Sequence, residues 1–195
     1  MQASTASNVQ YDSDTVLIHG LTRTEVETLG TKCKEAKERA YCPYSRFRVG
    51  CTLLVSSPSP TFSSSSEAVY VSGANVENAS YPVGTCAERV ALGTAVVQGH
   101  RQGGFRALAV ATDVVPASSP CGMCRQFIRE FCGVSIPFPS SALQWGVRVQ
   151  PEMPVFMYDK NGEFVVMTIE QLLPVSFGPE SLPSPHELDA ARTRS

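Results

Sequence analysis

Val26, Leu29, Cys33, Ala36 and Ala40 recur at steps of three and four residues, which puts them on one face of a helix. Lys32, Lys34, Glu35, Lys37 and Glu38 fall on its other faces. Thr22 with Glu25 fits a capping box, as does Thr24 with Glu27, and Pro43 is expected to stop the helix. Cys33 lies on the apolar stripe and reads as core; Cys42, beside the proline, reads as structural. Residues 46–55 are rich in β-formers and predict a strand. The Ser/Pro-rich run at 56–66 predicts an exposed hairpin loop, 68–71 the return strand, and Gly73 and Asn75 the start of an irregular segment through Gly84. A helix is predicted over 85–98. Val90, Ala91, Thr94, Ala95 and Val97 make it apolar on most of its surface, as in a buried helix. A strand follows at 105–112 and a short helix at 121–131, with Phe127, Ile128 and Phe131 at helical spacing. Residues 133–154 hold four prolines and read as a long irregular insertion in which Trp145 is a packing anchor. Two strands, 155–158 and 164–168, flank an Asn161-Gly162 hairpin turn, and Thr168 is placed to cap a last helix at 169–173.

This order predicts an α/β fold, a three-layer α/β/α domain around a mixed central sheet. Strands joined through the two central helices should run parallel, with the amino ends of those helices at one sheet edge. Residues 1–20 read as a flexible arm with His19 at the surface, 21–180 as one domain with loop insertions at 56–66 and 133–154, and 181–195 as a disordered tail.

Two clusters carry chemistry. Cys121 and Cys124, three apart at the start of a predicted helix, share a face and can share a metal. Cys86 lies in the first turn of the preceding helix, and helix amino termini favour thiolates. Three thiolates leave a zinc ion one position for water, as in catalytic sites; His100, far down the helix, is poorly placed as a fourth ligand. Glu88, two residues from Cys86, is too close in sequence to bind the same ion easily but can face its water. The implied reaction is attack of a zinc-bound hydroxide on the amidine-like carbon of an aminopyrimidine, with Glu88 as proton shuttle. Three thiolates give Zn²⁺ a net negative charge. Arg89 is the first candidate to compensate it and Arg125 the second.

Composition narrows the class. A formal charge of −2 gives no basic footprint for nucleic acid, and no apolar run is long enough to span a bilayer. The first residues resemble neither a secretory signal nor a transit peptide, so a cytoplasmic protein is expected. Seven cysteines cannot all pair within one chain, and in a reducing compartment CxxC spacing reads as metal or redox chemistry.

The run NVENASYPVGTCAERVAL (75–92) followed by SPCGMCRQ (119–126) resembles the zinc-dependent cytidine deaminases, small-subunit type. The likeness extends from CPYSRFRVG at 42 to SFGPE ending at 180. It implies hydrolysis of cytidine and 2′-deoxycytidine in pyrimidine nucleoside salvage, with one zinc per chain held by Cys86, Cys121 and Cys124 and with Glu88 catalytic. It also implies that Asn75 and Glu77 hold the ribose hydroxyls, that Ala87 contacts substrate and that Phe47 lies against the sugar. The resemblance further implies that Arg89 compensates the zinc-site charge, that Phe177 reaches from a neighbouring subunit to stack on the base, that Tyr81 sits at such an interface and that the assembly is a homotetramer. The expected partner is a small nucleoside, not nucleic acid or membrane. Set against this are a deaminase of another aminopyrimidine nucleoside such as a blasticidin-type antibiotic, an enzyme editing polynucleotides, a structural zinc module, and a thioredoxin-like redox pair at Cys121 and Cys124.

Overall fold

A computed structural model describes residues 18–56, 68–100, 104–131, 153–178 and 181–182. Most of the expected N-terminal arm, nearly all of the Ser-rich loop, the 133–154 insertion up to residue 152 with Trp145, and nearly all of the C-terminal tail lie outside the described residues. Helix α1 (Arg23–Lys37) starts at Thr22, whose hydroxyl and backbone exchange hydrogen bonds with Glu25. Of the two possible capping boxes the chain uses this one, a cap contributing about 1 kcal/mol. The helix ends well before Pro43. The Tyr41 N–H donates to the Asn75 carbonyl and the Glu77 N–H to the Tyr41 carbonyl, at 3.0 and 2.8 Å, so Ala40 is drawn into a turn rather than another helical step.

Strands β1 (Val49–Val55), β2 (Val69–Ala74), β3 (Phe105–Thr112), β4 (Pro154–Tyr158) and β5 (Phe164–Thr168) form one sheet in the order β2-β1-β3-β4-β5. The β3–β4 pair is parallel and the other pairs are antiparallel. Because β1 lies antiparallel between β2 and β3, those two strands run the same way. Both crossovers, through α2 (Ala87–Val97) and α3 (Gly122–Phe131), therefore join parallel strands as expected.

Side-chain alternation builds a core on each face. Cys51, Leu53, Val110, Val155 and Met157 pack with Ala91, Leu92 and Ile128 on the α2/α3 face. Leu54, Ala109, Ala111, Phe156 and Tyr158 pack with Leu29 and Cys33 of α1 on the other. This is the three-layer α/β/α domain around a mixed sheet. Two glycines let the helices press close. A Cβ at Gly50 would lie 2.1 Å from the Cys33 carbonyl of α1, and one at Gly73 would lie 2.5 Å from the Ala91 nitrogen of α2. Gly73 therefore belongs to β2, which runs three residues beyond the expected return strand. Helix α2 is buried on one face only: Ala87, Glu88, Ala91, Leu92 and Ala95 are buried, whereas Val97 is 89% exposed. A short helix α4 (Ile169–Leu172) begins at Thr168, whose side chain closes a second capping box with Gln171. Among the described residues, no helix is long and apolar enough to cross a membrane.

Candidate metal centre and substrate cavity

The parallel crossovers bring the amino ends of α2 and α3 together at the sheet edge. Cys86 is the N-cap of α2, and Cys121 and Cys124 sit at the start of α3. The sulfur atoms of the three lie within 4.8 Å of one another, with Cys86 Sγ and Cys121 Sγ 3.9 Å apart. Zinc–sulfur bonds of about 2.3 Å in a tetrahedron place sulfurs about 3.8 Å apart, so the three thiols fit such an ion. Among the described residues no other His, Cys, Asp or Glu joins the group, which suits a site with an open position. None of the described cysteines is in a disulfide. The Cys86 thiol is held down to about 5, first by its hydrogen bond with Cys124 and then by Arg89, and the same contact pushes Cys124 up.

Glu88 follows in the first turn of α2. It is 3% exposed, and its Oε2 is buried without a hydrogen-bond partner. Burial raises its carboxyl pKa, and the charge at Cys86 adds to the rise. Arg89 points its guanidinium back along the helix start, with Nη2 3.9 Å from Cys86 Sγ and 3.4 Å from the Gly84 carbonyl. Arg125, the second candidate for charge compensation, lies differently. It donates to the Pro120 carbonyl, the Leu172 carbonyl and the Ser119 hydroxyl at 2.6 to 2.7 Å, bracing the cysteine loop against α4.

Cys86, Glu88 and Cys121 open into a cavity of about 450 Å³ that is also lined by Phe47, Asn75, Glu77, Tyr81 and Thr112. Phe47 is 37% exposed and therefore not a core residue. The Asn75 side chain accepts from the Val49 N–H at 2.8 Å and donates to the Phe47 carbonyl at 2.9 Å. The Glu77 carboxylate accepts from the Tyr44 N–H at 2.9 Å, the Ser45 N–H at 3.2 Å and the Ser45 hydroxyl. These bonds hold its carboxyl pKa down, the Ser45 hydroxyl first. Sequence spacing did not reveal this clamp, because it joins residues more than 25 positions apart. Ala87 turns its side chain into the core, is fully buried and is not among the residues that line the cavity. Tyr81 stands 74% exposed in a 3-10 turn (Tyr81–Val83), its ring centroid 5.7 Å from that of Tyr44. Phe177 is 59% exposed and does not line the cavity; its carbonyl accepts from Gln126 Nε2 at 3.0 Å.

Residues 23–138, more than half of the chain, match the family described as the cytidine and deoxycytidylate deaminase zinc-binding region. A cytidine deaminase of Sporosarcina psychrophila is 37% identical over 158 residues, covering 81% of this chain and 95% of that protein. One from Halalkalibacterium halodurans is 34% identical over 148 residues, covering 76% and 90%. The crystal structure of a cytidine deaminase from Burkholderia pseudomallei superposes with a TM-score of 0.61 at 32% identity, covering 80% of this chain and all of that one. A three-thiol cluster beside a buried carboxylate, the matched zinc-binding region and these near-full-length relatives together place the chain in the cytidine deaminase family.

Proposed function

We propose that the protein hydrolyses cytidine and 2′-deoxycytidine to uridine and 2′-deoxyuridine with release of ammonia, in pyrimidine nucleoside salvage. The observation that carries this reading is the buried, unpartnered Oε2 of Glu88 beside the Cys86, Cys121 and Cys124 thiols, with Cys86, Glu88 and Cys121 on the cavity wall. Zinc held by those three cysteines, one ion per chain, supplies activation of a water at neutral pH. Glu88 takes one proton from the attacking water and passes it to the ring nitrogen. It then takes the proton left on the added oxygen and passes it to the amino group, which departs as ammonia. The raised pKa that burial gives it suits a carboxyl group that must hold a proton between these steps. Arg89 offsets the excess negative charge of the three thiolates through its approach to Cys86 Sγ.

Phe47, on the cavity wall, packs against the sugar, and Ala87, between the lining residues Cys86 and Glu88, contacts substrate. Asn75 and Glu77 hold the ribose hydroxyls with capacity left after the clamp. The Asn75 amide keeps a second N–H and a second lone pair, and a carboxylate with about four acceptor positions has three in use at Glu77. Phe177 stands exposed and away from the cavity of its own chain. That placement supports a homotetramer in which Phe177 reaches a neighbour's base and Tyr81 lies at the interface. Residues 21–180 act as the single catalytic unit, and the expected setting is the cytoplasm. Conversion of cytidine to uridine by the purified protein, followed as loss of cytidine absorbance, tests the reading; zinc without turnover would favour another aminopyrimidine nucleoside.

A further inference from the structure

Phe47 is displayed by a turn that has to be held in place. Arg46, the residue before it, has φ 57°, in the left-handed region that costs a non-glycine residue about 1 kcal/mol or more. On the far side of Phe47, Arg48 anchors the chain by pairing with Asp113 at 2.8 Å and with Glu38. On the near side stands Ser45. Its hydroxyl donates to Glu77 and accepts from the Phe47 N–H at 3.0 Å, and its own N–H donates to Glu77 at 3.2 Å. We infer that Ser45 is a positioning residue of the substrate site, linking the Glu77 carboxylate to the Phe47 backbone so that the strained turn presents the Phe47 ring to the bound nucleoside.

This rests on the nucleoside deaminase reading and adds a residue to it. Ser45 acts through Phe47 and through Glu77, so its contribution is to substrate binding, and the part carried by Phe47 does not depend on the sugar hydroxyls. Without its hydroxyl, the turn at Arg46 loses the bond that satisfies the Phe47 N–H and the side-chain bond to Glu77, keeping only the Tyr44 and Ser45 N–H bonds to that carboxylate. Threonine keeps the hydroxyl and both bonds.

The test compares wild type, Ser45→Ala and Ser45→Thr on cytidine and on 2′,3′-dideoxycytidine, which lacks the hydroxyls that Asn75 and Glu77 would hold. Zinc content is measured on each sample. Ser45→Ala is expected to raise KM about tenfold on both substrates, with kcat and zinc little changed, and Ser45→Thr to restore KM. In a Phe47→Ala background the same change should add little further loss. Unchanged KM in Ser45→Ala overturns the inference, as does an undiminished effect in the Phe47→Ala background or a loss confined to cytidine. Absence of turnover in the wild type would instead sink the deaminase reading and this inference with it.

Discussion

Arg89 turns its guanidinium toward Cys86 three residues earlier, with Nη2 3.9 Å from the sulfur and 3.4 Å from the Gly84 carbonyl. A cation held by backbone on one side and thiolate on the other is placed to offset the excess charge of a three-thiolate zinc site. Arg89→Gln is therefore expected to lower kcat or zinc affinity about 10- to 100-fold, the usual consequence of losing a group that supports a metal ligand. Steady-state kinetics with zinc analysis check it. Wild-type values in both would remove Arg89 from the site.

Glu88→Gln keeps the size of the side chain and removes the titrating group. The expected result is a folded, zinc-bearing protein whose kcat is lower by about 10²- to 10⁴-fold, the range for a positioned general acid–base. Appreciable turnover in this variant would show that Glu88 does not move the protons.

Cys86→Ala should lose zinc, because Cys86 is one of the three thiols whose sulfurs lie within 4.8 Å of one another. A strong chelator should likewise abolish activity in the wild type, with recovery on adding zinc. Full zinc occupancy in Cys86→Ala would show that other residues hold the ion.

Asp113 carries a pH prediction. It pairs with Arg48 at 2.8 Å and with Lys37 at 2.7 Å, and these cations, Arg48 first, hold its carboxyl below its ordinary value of 3.8. A carboxylate with a depressed folded pKa stabilises the native state above its unfolded pKa, and that stability is lost as pH falls through the folded value. Asp113→Asn should therefore cost about 1–2 kcal/mol at pH 7 and progressively less below about pH 4. Thermal melts of both proteins across this range read it out. A gap that stays constant with pH would assign the loss to packing.

Where the chain's chemistry was local, the sequence showed it. The periodic apolar face of α1, both edges of β3, the Asn-Gly hairpin and the two-cluster arrangement around Cys86 and Cys121 all follow from short-range pattern. What it hid was set by long-range contacts. The end of α1 is fixed by Tyr41 pairing with Asn75 and Glu77, not by Pro43. Gly73 reads as a breaker but serves as a close approach for α2. The grip of Asn75 and Glu77 on residues 44–49 spans a separation no periodicity can report, and Val97 keeps the spacing of a buried position while facing outward.

Phe177→Ala should chiefly raise KM, by about 5- to 150-fold if one base–aromatic stack of about 1–3 kcal/mol is lost. Mixing Phe177→Ala with Glu88→Gln subunits should restore some sites if Phe177 serves a neighbour. Unchanged kinetics in Phe177→Ala would leave it a surface residue.

The most direct measurement is cytidine turnover by the purified protein, with zinc assayed on the same sample. Conversion to uridine and ammonia with about one zinc per chain is expected. A protein that holds zinc on Cys86, Cys121 and Cys124 yet leaves cytidine untouched would contradict the proposed reaction.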